Sequence, residues 1–228
     1  MILLMLVTAV LITVTGIIYE QKFFVVLPIY VSLFVGLLQT TANRYSLLIG
    51  SFNSIIYTVT YVYLGLYATA VSTFFFSCIV QFMTFVLWNK RKYAHSTKFR
   101  KLSNKYRVIL AVGILVASVA VCFWLDKIGS VYQVLDSLSA VMGAVLPVLT
   151  LFAFIEYSWL MLPSGVIVIL LYASMLTNNP AQITHVIFSV YSLICVTRGF
   201  LSVRRLYKEQ QNQKKLEESK EKSTAYLS

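Results

Sequence analysis

Asn53, Tyr57 and Tyr61 stand one helical turn apart inside a long apolar run. On an α-helix, the i, i+4, i+8 spacing puts an amide and two phenols on one face. Gln81 and Thr84 form a second polar pair one turn apart, with Thr73 and Ser77 on nearby turns and Trp88 where that run ends. A carboxamide both donates and accepts, which suits the edge of a heterocyclic base or the hydroxyls of a sugar. Aromatic side chains offer faces on which a flat ring stacks. Glu156, Trp159 and Tyr172 bring a carboxylate and two more aromatic groups in the second half of the chain. Polar groups in apolar runs also have a plainer use, since they bridge neighbouring helices by hydrogen bonds. The substrate-binding candidates are Asn53, Tyr57, Tyr61, Gln81 and Thr84, then Trp88, Glu156, Trp159 and Tyr172. Asp136, at the start of a run, reads as an acid complementing a helix N-terminus; His185 reads as a hydrogen-bonded structural residue and Arg198 as a snorkelling cation.

The elements that hold these residues follow from composition. The chain has 228 residues, of which 59% are hydrophobic and 12% charged, with mean hydropathy +0.79. A soluble domain carries about 25% charge. Apolar runs near 20 residues match the roughly 30 Å hydrocarbon layer of a bilayer. In lipid only helices and closed barrels satisfy their own backbone, and these runs lack the alternation of barrel strands. An all-α integral membrane protein is expected. Cys78, Cys122 and Cys195 lie within apolar runs and have no partner at metal-ligand spacing. There is no HExxH, GxSxG, P-loop or CxxC motif, so no enzyme, cofactor or metal site is expected.

Eight spans are expected, at about 2–19, 23–41, 46–64, 66–88, 108–125, 131–154, 157–176 and 181–202. The net charge of +11 comes from where the bases are: eight Lys or Arg lie in 89–107 with no acid, and seven more follow Ser202 against four Glu. That placement argues against nucleic acid and for loops held in the cytoplasm. Four spans separate the two basic segments, so they fall on one side, and eight spans bring the N-terminus there too. The first run lacks a basic leader and a small-residue cleavage site, so it reads as a retained span rather than a signal peptide. The tail reads as a solvated helical extension that frays.

Residues 44–88 and 156–200 resemble two copies of one unit set 112 positions apart without a gap. Arg44-Tyr45-Ser46 falls on Glu156-Tyr157-Ser158, Asn53 on Gly165, Thr69 on Ala181, Gln81 on Leu193 and Trp88 on Phe200. The first span aside, the count is three, one, three. A three-span unit reverses direction, and one added crossing lets two copies face the same way. The expected organisation is 1–22 an extra N-terminal transmembrane helix, 23–88 the first three-helix bundle and 89–107 a basic cytoplasmic loop. Then come 108–130 a linker helix, 131–203 the second, parallel three-helix bundle, and 204–228 a cytoplasmic tail. Pro28, Pro147 and Pro163 lie inside spans and can kink them.

This plan is that of the SWEET sugar facilitators and of the Pnu vitamin transporters. Gly50-Ser51-Phe52-Asn53, Tyr57 and the Gly65-Leu66-Tyr67 turn resemble the Pnu pattern, as do Asp136-Ser137-Leu138, Glu156 and Leu171-Tyr172. The resemblance covers roughly residues 30–205. The paired prolines of the SWEET type are missing. Several Pnu positions differ: the family's Glu-Asn-Trp-x-x-Trp falls on Glu156, Tyr157, Ser158 and Met161, and its following Asn on Gly165. In the first repeat a Gln falls on Thr73 and a Gly-Trp pair on Met83-Thr84. The resemblance implies facilitated diffusion of a water-soluble vitamin or nucleoside through a bacterial inner membrane, first of all nicotinamide riboside. Within the family, thiamine, riboflavin or a deoxynucleoside are the alternatives. It also implies a homotrimer and a cytosolic kinase that traps the substrate. A SWEET-like sugar facilitator and a non-transporting membrane sensor or assembly subunit are further readings. No chain of acids runs through the spans, so proton coupling is not expected.

Overall fold

The computed structural model describes residues 1–225. Eight long helices follow one another: α1 (Ile2–Ile18), α2 (Phe23–Gln39), α3 (Tyr45–Tyr63), α4 (Tyr67–Lys90), α5 (Asn104–Lys127), α6 (Gln133–Leu151), α7 (Glu156–Leu176) and α8 (Ile183–Ala225). Five of them, α4 to α8, are long and apolar enough to cross a membrane; the apolar run of α3 is interrupted by Ser51, Asn53, Ser54 and Thr58. The expected tail is continuous with α8 and helical as far as Ala225, because Gln, Lys and Glu extend a helix that is already nucleated. Residues 226–228 of that tail lie outside the described residues. The basic loop carries a small hairpin, β1 (Lys92–Tyr93) antiparallel to β2 (Ser96–Thr97). It is tied to the α6–α7 hinge by Arg100, whose amide donates to Ala153 and whose carbonyl accepts from Ile155, both at 2.8 Å.

Helix contacts run in a cycle: α2 on α3, α3 on α4, α4 on α6, α6 on α7, α7 on α8, and α8 back on α2. α1 packs outside this ring on α2 and α8, and α5 outside it on α6. The outer surface is apolar, with Phe52, Val59, Val71, Leu115 and Phe123 exposed, as a lipid-facing surface requires.

Inside the ring, polar groups repair the backbone. Pro28 cannot donate to the carbonyl of Phe24, and Thr60 Oγ1 donates to it instead at 3.2 Å. Asn53 Nδ2 donates to Pro28 O and to Ser32 Oγ, both at 2.8 Å, clasping α3 to α2. Asp136 is wholly buried and serves the N-terminus of a different helix from its own. Its carboxylate accepts from the amides of Ala68 (3.4 Å) and Thr69 (3.1 Å) and from the Thr69 hydroxyl (2.5 Å), fastening α6 to the start of α4.

The middle of α4 is π-helical over Thr73–Val80. Such segments are rare and recur at functional sites. Here Ser51 Oγ from α3 donates to the Cys78 carbonyl at 2.6 Å.

At the end of the bundle bearing the basic segments, α8 lies directly on α2. A Cβ on Gly199 would come within 2.7 Å of the Gln39 carbonyl oxygen, and Ser202 Oγ donates to Thr40 O at 2.6 Å. Gly199→Ala must therefore push the α2 and α8 backbones apart, and a loss of about 1–3 kcal/mol is expected. A melting temperature in detergent equal to that of the parent would show that the helices separate freely.

Candidate functional site

A cavity of about 190 Å3 lies within the ring, in the half nearer the basic end. Its wall draws on every helix of the ring but none outside it. The α2–α3 hinge supplies Gln39, Asn43 and Ser46; the π segment and the turn after it supply Ser77 and Gln81. Gly143, Pro147 and Thr150 come from α6, Tyr157, Ser158 and Met161 from α7, and Gly199 and Phe200 from α8.

Gln81 follows the π segment directly, and Gly50 makes room for it: a Cβ on Gly50 would sit 2.9 Å from Gln81 Oε1. Among the described residues, no hydrogen bond engages the Gln81 amide, so its donors and its acceptor are all available to a ligand. Ser46 and Ser158 instead donate to the carbonyls three residues back, Asn43 and Ile155, at 2.7 and 2.8 Å, keeping their lone pairs for the cavity. Trp88 is buried beside it. Its indole N–H donates to Thr150 O at 2.8 Å, and its ring meets Phe99 and Tyr157 edge-on at 5.8 and 6.4 Å. Among the described residues, no Lys, Arg, His, Asp or Glu lines the cavity.

The opposite half of the ring is closed by aromatic groups. Tyr57 stacks on Tyr61 with centroids 5.3 Å apart, and Tyr172 on His185 at 4.7 Å. Asn53 lies at the middle of α3, one turn from Tyr57. Among the described residues, Asn53 Oδ1 and both ring nitrogens of His185 are buried with no hydrogen-bond partner.

The nine candidates thus fall into separate places. Gln81 and Trp88 line the cavity. Tyr57, Tyr61 and Tyr172 lie in the opposite half, and Asn53 at the middle of α3. Thr84 is wholly buried and its hydroxyl donates to Val80 O at 2.6 Å, within its own helix. Glu156 is taken up by Arg107, at 2.6 Å, and by the Leu102 amide, at 3.2 Å to each carboxylate oxygen. Trp159 faces outward, carrying the Arg204 guanidinium 4.3 Å from its ring centre and Phe200 edge-on at 4.8 Å.

Cavity residues not singled out from sequence include Gln39, Asn43, Ser46, Tyr157, Ser158 and Phe200. The signal that links three of them is the repeat. Ser46 and Ser158 are 112 positions apart, as are Trp88 and Phe200, and all four line the cavity. The two hinges are also built alike, with Ala42 and Ala153 both in the left-handed conformation.

A lipid-faced ring of helices around an uncharged polar cavity, barred at one end by stacked aromatics, is the build of a membrane transporter for small molecules. The family follows from the sequence of that ring: a model of the nicotinamide mononucleotide transporter family matches residues 22–202, and the chain belongs to that family. The fold is similar to the crystal structure of the vitamin B3 transporter PnuC, with TM-score 0.74, 18% identity and 90% of each chain covered. No curated protein sequence matches the chain.

Proposed function

We propose that the cavity holds an unphosphorylated pyridine nucleoside, of the nicotinamide riboside type, and that the protein carries it by facilitated diffusion. The observation that carries this reading is the uncharged wall. A phosphate group brings about −1.5 to −2 charges at neutral pH and would need cations, of which the lining has none. A pyridinium ring instead needs electron-rich faces, and Trp88, Tyr157 and Phe200 supply them. Gln81, Ser77 and Asn43 are placed to meet a carboxamide or ribose hydroxyls. Met161 and Gly165, which stand where the family pattern has Trp and Asn, favour a second reading: thiamine, riboflavin or a deoxynucleoside.

The cyclic order of helices supports two parallel repeats, 23–88 and 131–203, with 108–130 as the linker between them, 1–22 as an added helix, 89–107 as a basic loop and 204–228 as a tail. On this reading the basic end faces the cytoplasm of a bacterium, both termini included, and the protein lies in the inner membrane. Net uptake then follows the substrate gradient, drawn by a cytosolic kinase that phosphorylates the product. A homotrimer is proposed by likeness to the family.

Uptake by proteoliposomes without an ion gradient tests the reading. Labelled nicotinamide riboside is expected to enter and to be displaced by the unlabelled nucleoside, but not by its 5′-phosphate. Displacement by thiamine, riboflavin or a deoxynucleoside alone would move the assignment to the second reading.

A further inference from the structure

We propose that a second site, outside the ring, binds an anionic phospholipid. A cleft of about 630 Å3 separates the basic end of α5 from α7 and α8. It shares no lining residue with the transport cavity, so it does not rest on the reading of that cavity. Its floor is apolar: Leu110, Ala111 and Ile114 on α5 face Leu160 on α7. Its rim is cationic, with Lys101 from the loop, Arg107 from α5, and Arg204 and Lys208 one turn apart on α8.

Arg107 is already matched by Glu156 at 2.6 Å. Among the described residues, Lys101, Arg204 and Lys208 have no carboxylate partner. The Arg204 guanidinium is held between two rings, its Cζ 4.3 Å from the centre of Trp159 and 5.0 Å from that of Phe200. A guanidinium fixed in this way presents its donors as a ready fork for a phosphate.

Depth distinguishes a lipid from a free anion. From Arg107 to Ile114 the cleft descends about 10 Å along α5, from the level of headgroups into that of acyl chains. Farther around α5, Val108, Val112 and Leu115 are exposed. A phosphate diester would sit among the three cations with its chains along α5. Basic pockets between helices on the cytoplasmic side suit such headgroups.

Thermal unfolding of the delipidated full chain in a neutral detergent tests this, with phosphatidylglycerol, phosphatidylcholine of the same chains, and inorganic phosphate as additives. Phosphatidylglycerol is expected to raise the melting temperature, while the other two leave it unchanged. Arg204→Gln with Lys208→Gln should weaken the apparent affinity for phosphatidylglycerol about tenfold. Lys101→Gln, which has no aromatic contact to lose, should act in the same direction, and neither variant should slow nucleoside uptake. Equal stabilisation by phosphatidylcholine, an equal effect of free phosphate, or undiminished affinity in both variants overturns the proposal. So does a change of oligomeric state in the variants without a change in lipid response, which would give the cleft to a second copy of the chain.

Discussion

Gln81→Leu is expected to lower the initial rate of nucleoside uptake at low substrate by about ten- to a hundredfold, the factor set by leaving a ligand's buried polar edge unmatched. Leu nearly conserves the volume of Gln, so the space beside Gly50 stays filled. The amide makes no hydrogen bond to the protein among the described residues, so its removal leaves no orphaned partner. Expression and melting temperature should stay at the parent level. That combination separates a ligand contact from a structural one. Uptake equal to the parent's would remove Gln81 from the binding wall and leave Asn43 and Ser77 as the amide and hydroxyl to test next.

The second large effect is on stability. Asp136→Ala removes the acceptor of two backbone amides and one hydroxyl in a wholly buried place. Donors stranded in such a setting cost on the order of 3 kcal/mol. The first amides of α4 then lose their side-chain acceptor, and α6 loses its tether to them. Asp136→Asn keeps one acceptor oxygen, so it should recover some of the loss. Thermal or detergent-induced unfolding reads both variants. Melting temperatures of Asp136→Ala and the parent that coincide would show that water or a neighbour replaces the carboxylate.

Spans were legible in the sequence because run length answers directly to bilayer thickness. All eight helices stand within a few residues of their expected places, apart from the longer α5 and α8. The position of a side chain along its helix was legible too, since it follows from counting along a run. Direction around the helix was not. Asn53, Tyr57 and Tyr61 do share a face, but the face meets α2 and the aromatic seal. Which neighbour a face meets depends on the order of helices in the ring, and no property of one span encodes that. Glu156 was a substrate-binding candidate, but it pairs with Arg107, 49 positions away in a different helix. The π-helical stretch of α4 left no mark in composition, because its residues differ in hydrogen-bond register and not in type. The repeat was the one long-range signal. Read position by position, it would have added Phe200 to Trp88.

The aromatic seal carries a thermodynamic consequence. His185 and Asn53 forgo hydrogen bonds there that they would regain on meeting water. Shutting the far side is thus favoured by stacking and opposed by thirst for solvent. A facilitated-diffusion carrier of the kind proposed needs such opposing contributions, since a conformer much deeper than its counterpart would trap the cycle and stall turnover.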